Sequence, residues 1–432
     1  MADIKVDFSK TVGKIKPMHA VGQPPIIGTS KAMLHYLTEI GAPYSRLHDV
    51  GGMYASYKWV DVPNIFRDFD ADENDPASYD FAFTDLLINA LVEAGVEPFF
   101  RLGVTIENYA TVKAYRIFPP KDFGKWARIC EHIIRHYTEG WADGFCHKIT
   151  YWEIWNEPDN GPTREDNQMW WGTKEEFFEL YDITAKHLKN CFPHLKIGGY
   201  ASCGFYAISG RWIPEAKVSP RREYFNQFFI EFLEYIKRSG APLDFFSWHT
   251  YDTVENNIHY AHYAREMLDK YGFKSTETSC NEWLPVPNMR GTYHQAAHVA
   301  AVMLAFQNCP LDSAMVYDAR CGVSDYSALF NPETKKPYPA YYAFTAFGRL
   351  YKLGSQVELS CDDENVYAVA ATDGNRGCLV ISNHKDEKKP LNITANGDEI
   401  ITLITSDGRV DSATPLPKEI PANSILTVIY TL

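Results

Sequence analysis

A closed barrel of eight β/α units with an attached β-sandwich is the fold the sequence predicts, and two observations predict it. From residue 17 to about residue 350, short apolar runs alternate with segments whose apolar residues recur at helical spacing, and eight such units can be counted. Beyond Gly354 the pattern changes to short β-type runs separated by turn residues. The alternative is an open doubly wound sheet, and the count of eight favours closure. No Gly-x-Gly-x-x-Gly or Walker loop follows any strand, so a nucleotide site has no support.

Residues 3–16 alternate Ile4, Val6 and Phe8 with Asp3, Lys5 and Asp7, the pattern of a half-buried strand. Residues 18–22 are the first barrel strand, followed by a helix near 30–40, and residues 43–48 are the second strand. The next helix, near 79–94, places Phe83, Leu86, Leu87, Ala90, Leu91 and Ala94 on one face and stops at Gly95. The third strand is 97–103, with a helix near 122–138. The fourth begins at Tyr151 and ends at Asn156-Glu157, because Pro158 lacks a backbone donor. A helix near 174–190, a strand at 195–200, a helix near 224–238 and a strand at 243–249 come next. The seventh and eighth strands are 276–282 and 313–318, followed by helices near 293–307 and 338–350.

In the tail, residues 366–370, 378–382, 391–394, 400–403 and 425–429 are strands, with turns such as 373–375 and 407–408. The strand at 3–16 has no other sheet to join and is expected to pair with them. The sequence therefore predicts a (β/α)8 TIM barrel over residues 17–353. Its C-terminal β-sandwich module, residues 354–432, is completed by the N-terminal strand, residues 1–16.

The formal charge of −13 and the lack of a dense Lys/Arg run argue, in electrostatic terms, against nucleic acid as a partner. No run approaches a membrane span, and the amino terminus lacks a basic-then-apolar leader pattern. Nine cysteines without C-x-x-C spacing read as mostly free thiols, so a cytoplasmic location is expected unless a leader was trimmed. Residues 70–75 superficially resemble a calcium loop but lack its glycine and closing Glu, and His132, His136 and His147 lack metal spacing. No metal and no cofactor are expected; a homo-oligomer is left open.

Barrel enzymes place reacting groups at the C-terminal ends of their strands. Those ends carry His19, Arg46 with His48, Arg101, Asn156 with Glu157, His249 with Tyr251, Glu282 with Trp283, and Asp318 with Arg320. Two carboxylates, Glu157 and Glu282, end the fourth and seventh strands, the pairing that glycoside hydrolysis uses. Packing against Trp152 or Trp155 would raise the pKa of one carboxyl, while Arg and hydroxyl neighbours keep the other ionised. Alternation puts 278, 280 and 282 on one face and Glu277 on the other, so Glu277 is read as structural. Glu153, deeper in its strand, is read as a partner for an arginine such as Arg101. His19 and Arg46 stay open between ligand and core polar group. Arg320 either reads a uronate carboxylate or ties Asp318 in place, the second being favoured. Trp170, Trp171 and Trp212 suit cleft walls, though tryptophan also anchors loops.

The run Glu153-Ile154-Trp155-Asn156-Glu157-Pro158, with Glu282-Trp283, resembles the clan A retaining glycosidases. Within that clan the chain is similar to glycoside hydrolase family 39, which holds β-xylosidases and α-L-iduronidases. Arg46-Leu47-His48, Pro119-Pro120-Lys121-Asp122-Phe123, Lys196-Ile197-Gly198-Gly199 and Ser247-Trp248-His249-Thr250-Tyr251 extend the resemblance over most of residues 17–350. It implies that Glu157 is the general acid/base, Glu282 the nucleophile, and Asn156 the partner of the sugar 2-hydroxyl. His48, His249 and Tyr251 would line the subsite, with Tyr251 also orienting the nucleophile. Trp155, Trp283, Tyr317 and Arg320 complete the expected substrate-binding set. Retention implies carboxyl groups roughly 5–5.5 Å apart. The third strand departs from the family, ending Arg101-Leu102-Gly103 where its xylosidases are expected to carry an acid.

The resulting expectation is a retaining, β-xylosidase-like exo-glycosidase acting on a small xylo- or arabino-configured glycoside or oligosaccharide. Alternatives are a galactoside, arabinobioside or uronate (such as iduronide) specificity, a non-catalytic carbohydrate-binding barrel, or a thiol enzyme using Cys203 or Cys280.

Overall fold

The computed structural model describes residues 2–27, 30–50, 59–106, 117–213, 215, 217–322, 326–406, 409–412 and 416–432. β1 (Ala2–Lys14) precedes the barrel, which starts at β2 (Ala20–Gly22). There follow α1 (His35–Ile40), β3 (Tyr44–Leu47), α2 (Val62–Ile65), α3 (Ala82–Glu93) and β4 (Glu97–Leu102). The middle of the chain holds α4 (Phe123–Thr138), β5 (Tyr151–Ile154), α5 (Lys174–Cys191), β6 (Lys196–Ser202) and α6 (Pro220–Ser239). Then come β7 (Phe245–Thr250), α7 (Val254–Tyr271), β8 (Glu277–Trp283), α8 (Tyr293–Gln307), β9 (Ser313–Val316) and α9 (Pro339–Leu353).

β2 to β9 form a closed barrel in sequence order, sealed where β9 pairs in parallel with β2 through Met315 and Ala20. Ala20, Phe99, Phe245 and Met315, with Tyr44 and Tyr151, form a separate small apolar cluster. Polar side chains set the helix starts. Asp122 accepts from the Lys125 N–H, Ser219 from Arg222, Thr253 from Asn256 and Thr292 from Gln295, while Thr173 and Glu176 form a reciprocal capping box.

Two local expectations change. α7 had no counterpart in the sequence reading. Thr253 opens it, Gly272 closes it at φ 97°, and its buried face mixes Tyr260, Ala261, Ala264, Met267 and Leu268 with Asn256 and Asn257. That polar content blurs the apolar stripe. In α3 the buried face is Thr84, Leu87, Ile88, Ala90 and Leu91, whereas Phe83 and Leu86 are exposed.

The tail adds β10 (Ser355–Cys361), β11 (Val366–Thr372), β12 (Arg376–Asn383), β13 (Lys389–Ala395) and β14 (Asp398–Ser406). β15 (Arg409–Ser412), β16 (Glu419–Ile420) and β17 (Ser424–Thr431) finish it. The expected turn at 407–408 lies outside the described residues. These strands and β1 make a nine-stranded mixed sheet, a sandwich-like module, in the order β15-β14-β17-β12-β11-β10-β1-β13-β16. β1 runs antiparallel to β10 and parallel to β13, so the N-terminal strand lies inside the sheet. Its Ile4, Val6 and Phe8 join Leu379, Ile381, Leu426 and Val428 in a second core. α8 is buried along almost its whole length, and Ser382 of the sheet donates to its Ala297 carbonyl.

The nine cysteines are free thiols. Among the described residues no helix is long and apolar enough to cross a membrane.

Phe8 is 4% exposed and packs 5.1 Å from the Tyr430 ring. Phe8→Ala is expected to lower the unfolding free energy by about 3–5 kcal/mol in chemical denaturation; a loss below about 1 kcal/mol would show that β1 is dispensable to this core.

Candidate active site

The mouth of the barrel is organised by a guanidinium. Arg46, at the end of β3 and 1% exposed, donates from Nε to Glu153 Oε2 (2.7 Å), from Nη1 to Glu282 Oε2 (3.2 Å) and from Nη2 to Asn156 Oδ1 (2.6 Å). Glu153 Oε1 also accepts from Ser247 Oγ (2.6 Å) and Asn281 Nδ2 (2.5 Å). The arginine expected beside Glu153, Arg101, instead bonds Asp61 at 2.7 Å. Arg46, left open between ligand and core polar group, is a buried polar group bonded to three side chains. His19 is a buried core group, 3.0 Å from the Gly41 carbonyl and packed on Phe347 and Tyr351.

Backbone distortion brings the two candidate carboxylates together. After β5 the chain takes left-handed conformations at Trp155 (φ 70°) and Glu157 (φ 43°), uncommon for residues with side chains and typical of functional sites. In β8 a register shift separates the pairs Trp248/Cys280 and His249/Glu282, leaving one extra residue in β8. Ser279 bonds Ser313 and Asn281 bonds Glu153, whereas Thr278 bonds the Pro310 carbonyl and Cys280 joins the main apolar core. Plain alternation would send Glu282 with Thr278 and Cys280; the bulge turns it to Arg46 instead. Glu277 accepts from Tyr151 Oη (2.8 Å) and pairs with Lys196. It is structural, but because it sits at the other end of the strand rather than on the other face.

His249 Nδ1 lies 2.7 Å from Glu157 Oε1 and 3.6 Å from Glu282 Oε2. Tyr251 Oη donates to Glu282 Oε1 at 2.5 Å, and Asn160 Nδ2 donates to Glu157 Oε2 at 2.9 Å. One oxygen from each carboxyl and a ring nitrogen of His249 all lie within 4.8 Å of one another. Above them opens a cleft of about 690 Å³, within the usual range for small-ligand sites.

Of the expected site residues, Glu157, Glu282, His48, Tyr251, Tyr317 and Arg320 line this cleft. Asn156 and His249 are buried against Arg46 and the carboxyls. Tyr317 Oη accepts from Gln23 and donates to Asp49 at 3.0 Å, and His48 lies 3.1 Å from the same Asp49. Arg320 is held by Asp318 at 3.1 Å.

Trp155 and Trp283 are not brought to the cleft. Trp155 donates to the Met169 carbonyl and packs between Trp126 and Trp170; Trp283, turned by the bulge, packs on Phe306 of α8. Trp152 stacks on Phe100. These aromatics therefore do not supply the apolar wall expected beside Glu157. Trp212 anchors its loop on Asn256 and His259, Trp170 on the Thr173 carbonyl, and Trp171 packs on Phe118.

Burial raises both carboxyls above the usual range, Glu282 to about 7, and each negative charge opposes the other. Burial also drives His249 down to about 4, leaving it neutral near pH 7, and holds Tyr251 protonated as a donor. Burial and mutual repulsion both favour a proton on one member of the pair.

Sequence reasoning missed Asn160, Ser247 as a support, Asn281, Arg221 and Arg222. Asn281 and Ser247 sit in strands already singled out, but their roles depend on register. Arg221 and Arg222 come from the first turn of α6, far from any strand end. Two groups of donor atoms have metal-like spacing among the described residues: Glu157/His249/Glu282, and Glu131/His187/Cys191 between α4 and α5. In the first, Arg46 already supplies positive charge; in the second, Arg135 bonds Glu131 at 2.8 Å.

The sequence profile of the Glycosyl hydrolases family 39 matches residues 3–330. A β-xylosidase of Caldicellulosiruptor saccharolyticus is 26% identical over 434 residues, covering 90% of this chain and 80% of that protein. A glucosidase structure from Croceicoccus marinus superposes with a TM-score of 0.78 at 21% identity, over 100% of this chain and 99% of that one. A monomeric β-xylosidase structure from Caulobacter crescentus gives 0.68 at 18% identity, over 99% of each chain.

Arg46→Met leaves Glu153 and Glu282 buried without their cation. The expected loss is about 3–5 kcal/mol of stability by denaturant titration; a variant as stable as the wild type would contradict the hub.

Proposed function

The chain belongs to glycosyl hydrolases family 39 and is thus a glycosidase, and we propose that it is a retaining exo-enzyme releasing a xylo- or arabino-configured sugar from a small glycoside. The observation that carries the retaining mechanism is the approach of the Glu157 and Glu282 oxygens within 4.8 Å. Retaining enzymes hold their carboxyls roughly 5–5.5 Å apart, whereas inverting enzymes need about 6.5–9.5 Å to admit a water. The sugar preference is supported by similarity to a protein named β-xylosidase. Galactosides, arabinobiosides and iduronides are the competing specificities.

Glu157 donates its proton to the glycosidic oxygen while Glu282 attacks the anomeric carbon, giving a glycosyl ester and the free leaving group. Water, deprotonated by Glu157, then cleaves the ester and restores both residues. The proton is assigned to Glu157 from the neighbours. Glu282 receives bonds from the Arg46 guanidinium and the Tyr251 hydroxyl, which favour its anion. Glu157 is contacted by the Asn160 amide and neutral His249. Asn156 gives its oxygen to Arg46, so its NH2 is the end that suits a sugar hydroxyl.

A panel of aryl β-xyloside, α-arabinoside, β-galactoside and α-iduronide tests the specificity, with the xyloside or arabinoside expected to be fastest. Proton NMR of the first product should show the substrate's anomeric configuration; the opposite anomer would refute retention. Glu157→Gln should lower kcat by about 10²–10⁴ on natural glycosides, and less on substrates with good leaving groups. Glu282→Gln should abolish turnover on both.

The active form carries one proton on the pair. As pH rises that remaining proton, held by burial above the usual carboxylate range, leaves, and kcat/KM should fall. At low pH the second proton blocks the nucleophile. The profile is therefore expected to be bell-shaped, and Glu157→Gln to remove its alkaline limb; an unchanged limb would put that proton elsewhere.

A further inference from the structure

We propose that Arg221 and Arg222 bind an oxyanion substituent, a carboxylate or sulfate, on the departing part of the substrate, so that the enzyme favours acidic leaving groups. This rests on the reading of Glu157 as the acid, since the acid stands beside the glycosidic oxygen and its flank away from the nucleophile faces the group that leaves.

On that flank Arg221 donates from Nε to the Asn160 carbonyl (2.6 Å) and from Nη2 to Asn160 Oδ1 (2.9 Å), and Asn160 in turn bonds Glu157. Arg221 and Arg222 both line the catalytic cleft. The Arg222 guanidinium lies 4.9 Å from the centre of the Tyr206 ring, a stacking contact that orients it. Among the described residues neither arginine forms an ion pair, and the Arg222 guanidinium makes no hydrogen bond to protein. Asp252, on the loop after β7, is engaged by the Thr253 N–H, Asn256 and Tyr260. Arg320, also lining the cleft, is by contrast paired with Asp318.

Two guanidiniums without an ion pair among the described residues stand on the Glu157 side of the cleft, Arg221 acting on Glu157 and Arg222 facing no carboxylate within pairing distance, in a chain with net charge −13. The planar fork of donors suits a carboxylate or sulfate, whereas a neutral hydroxyl leaves its charge unanswered. Both arginines are largely exposed, so the preference is modest and sensitive to salt.

The test measures kcat/KM on aryl glycosides of the preferred sugar whose leaving group carries a meta-carboxylate, a meta-sulfate or a neutral meta-carboxamide. Wild type, Arg222→Gln and Arg222→Lys are compared at low and high NaCl. An acidic-over-neutral preference of about fivefold is expected in the wild type, shrinking at high salt and lost in Arg222→Gln. Whether carboxylate or sulfate gains more identifies the oxyanion. Calorimetric titration with glucuronate-bearing and neutral xylo-oligosaccharides reads the same preference without turnover, so an inactive sugar series sinks the specificity reading and not this one. Equal acidic-to-neutral ratios in the wild type and Arg222→Gln, in both rate and binding, would overturn the proposal.

Discussion

A buried arginine is tolerable only where its charge is answered, and Arg46 meets that condition with Glu153, Glu282 and Asn156. Those partners come from β5, the turn after it, and β8, so the need to pair one cation fixes how three parts of the rim meet. The distortions nearby follow from the same requirement. The bulge in β8 turns Glu282 toward the guanidinium, and the left-handed residues after β5 carry Asn156 and Glu157 into reach. Charge balance extends the effect. With two carboxyls already bonded to the cation, Glu157 pairs with no arginine or lysine among the described residues, and burial pushes its pKa up against the pull of Arg46 and Arg221.

The sandwich-like module takes part in this arrangement from behind. α8 follows β8, the strand that carries Glu282, and lies buried between the barrel and the second sheet. Val369, Val380 and Ile425 of that sheet belong to the same apolar cluster as the barrel core. The helix backing the candidate nucleophile is thereby covered on both sides, which restricts how far β8 can relax.

The eight barrel strands and the Glu157/Glu282 pair were legible in the sequence because they depend on local periodicity and on motif residues at strand ends. The pairing of β1 with the tail was legible because an amphipathic strand needs a sheet. Other features depend on register and tilt around a closed barrel, which no local pattern records. Arg46 rather than Arg101 reaches Glu153, and Trp155 and Trp283 turn away from the cleft. Strict alternation also grouped Thr278 and Cys280 with Glu282, whereas a single extra residue in β8 reverses every direction beyond it. α7 was hidden by asparagines that the fold buries with partners, as Asn257 is by Thr250. Arg221 and Arg222 reach the cleft from a helix start, where a search of strand ends does not look.

The central claim is that Glu282, held by Arg46 and Tyr251, forms a covalent ester with the sugar. The direct measurement is mass spectrometry after incubation with a 2-deoxy-2-fluoro glycoside bearing a good leaving group. A gain of one fluoroglycosyl unit per chain is expected, located by digestion on the peptide containing Glu282. A label on any other residue, or steady turnover with no adduct and an inverted product, would contradict it.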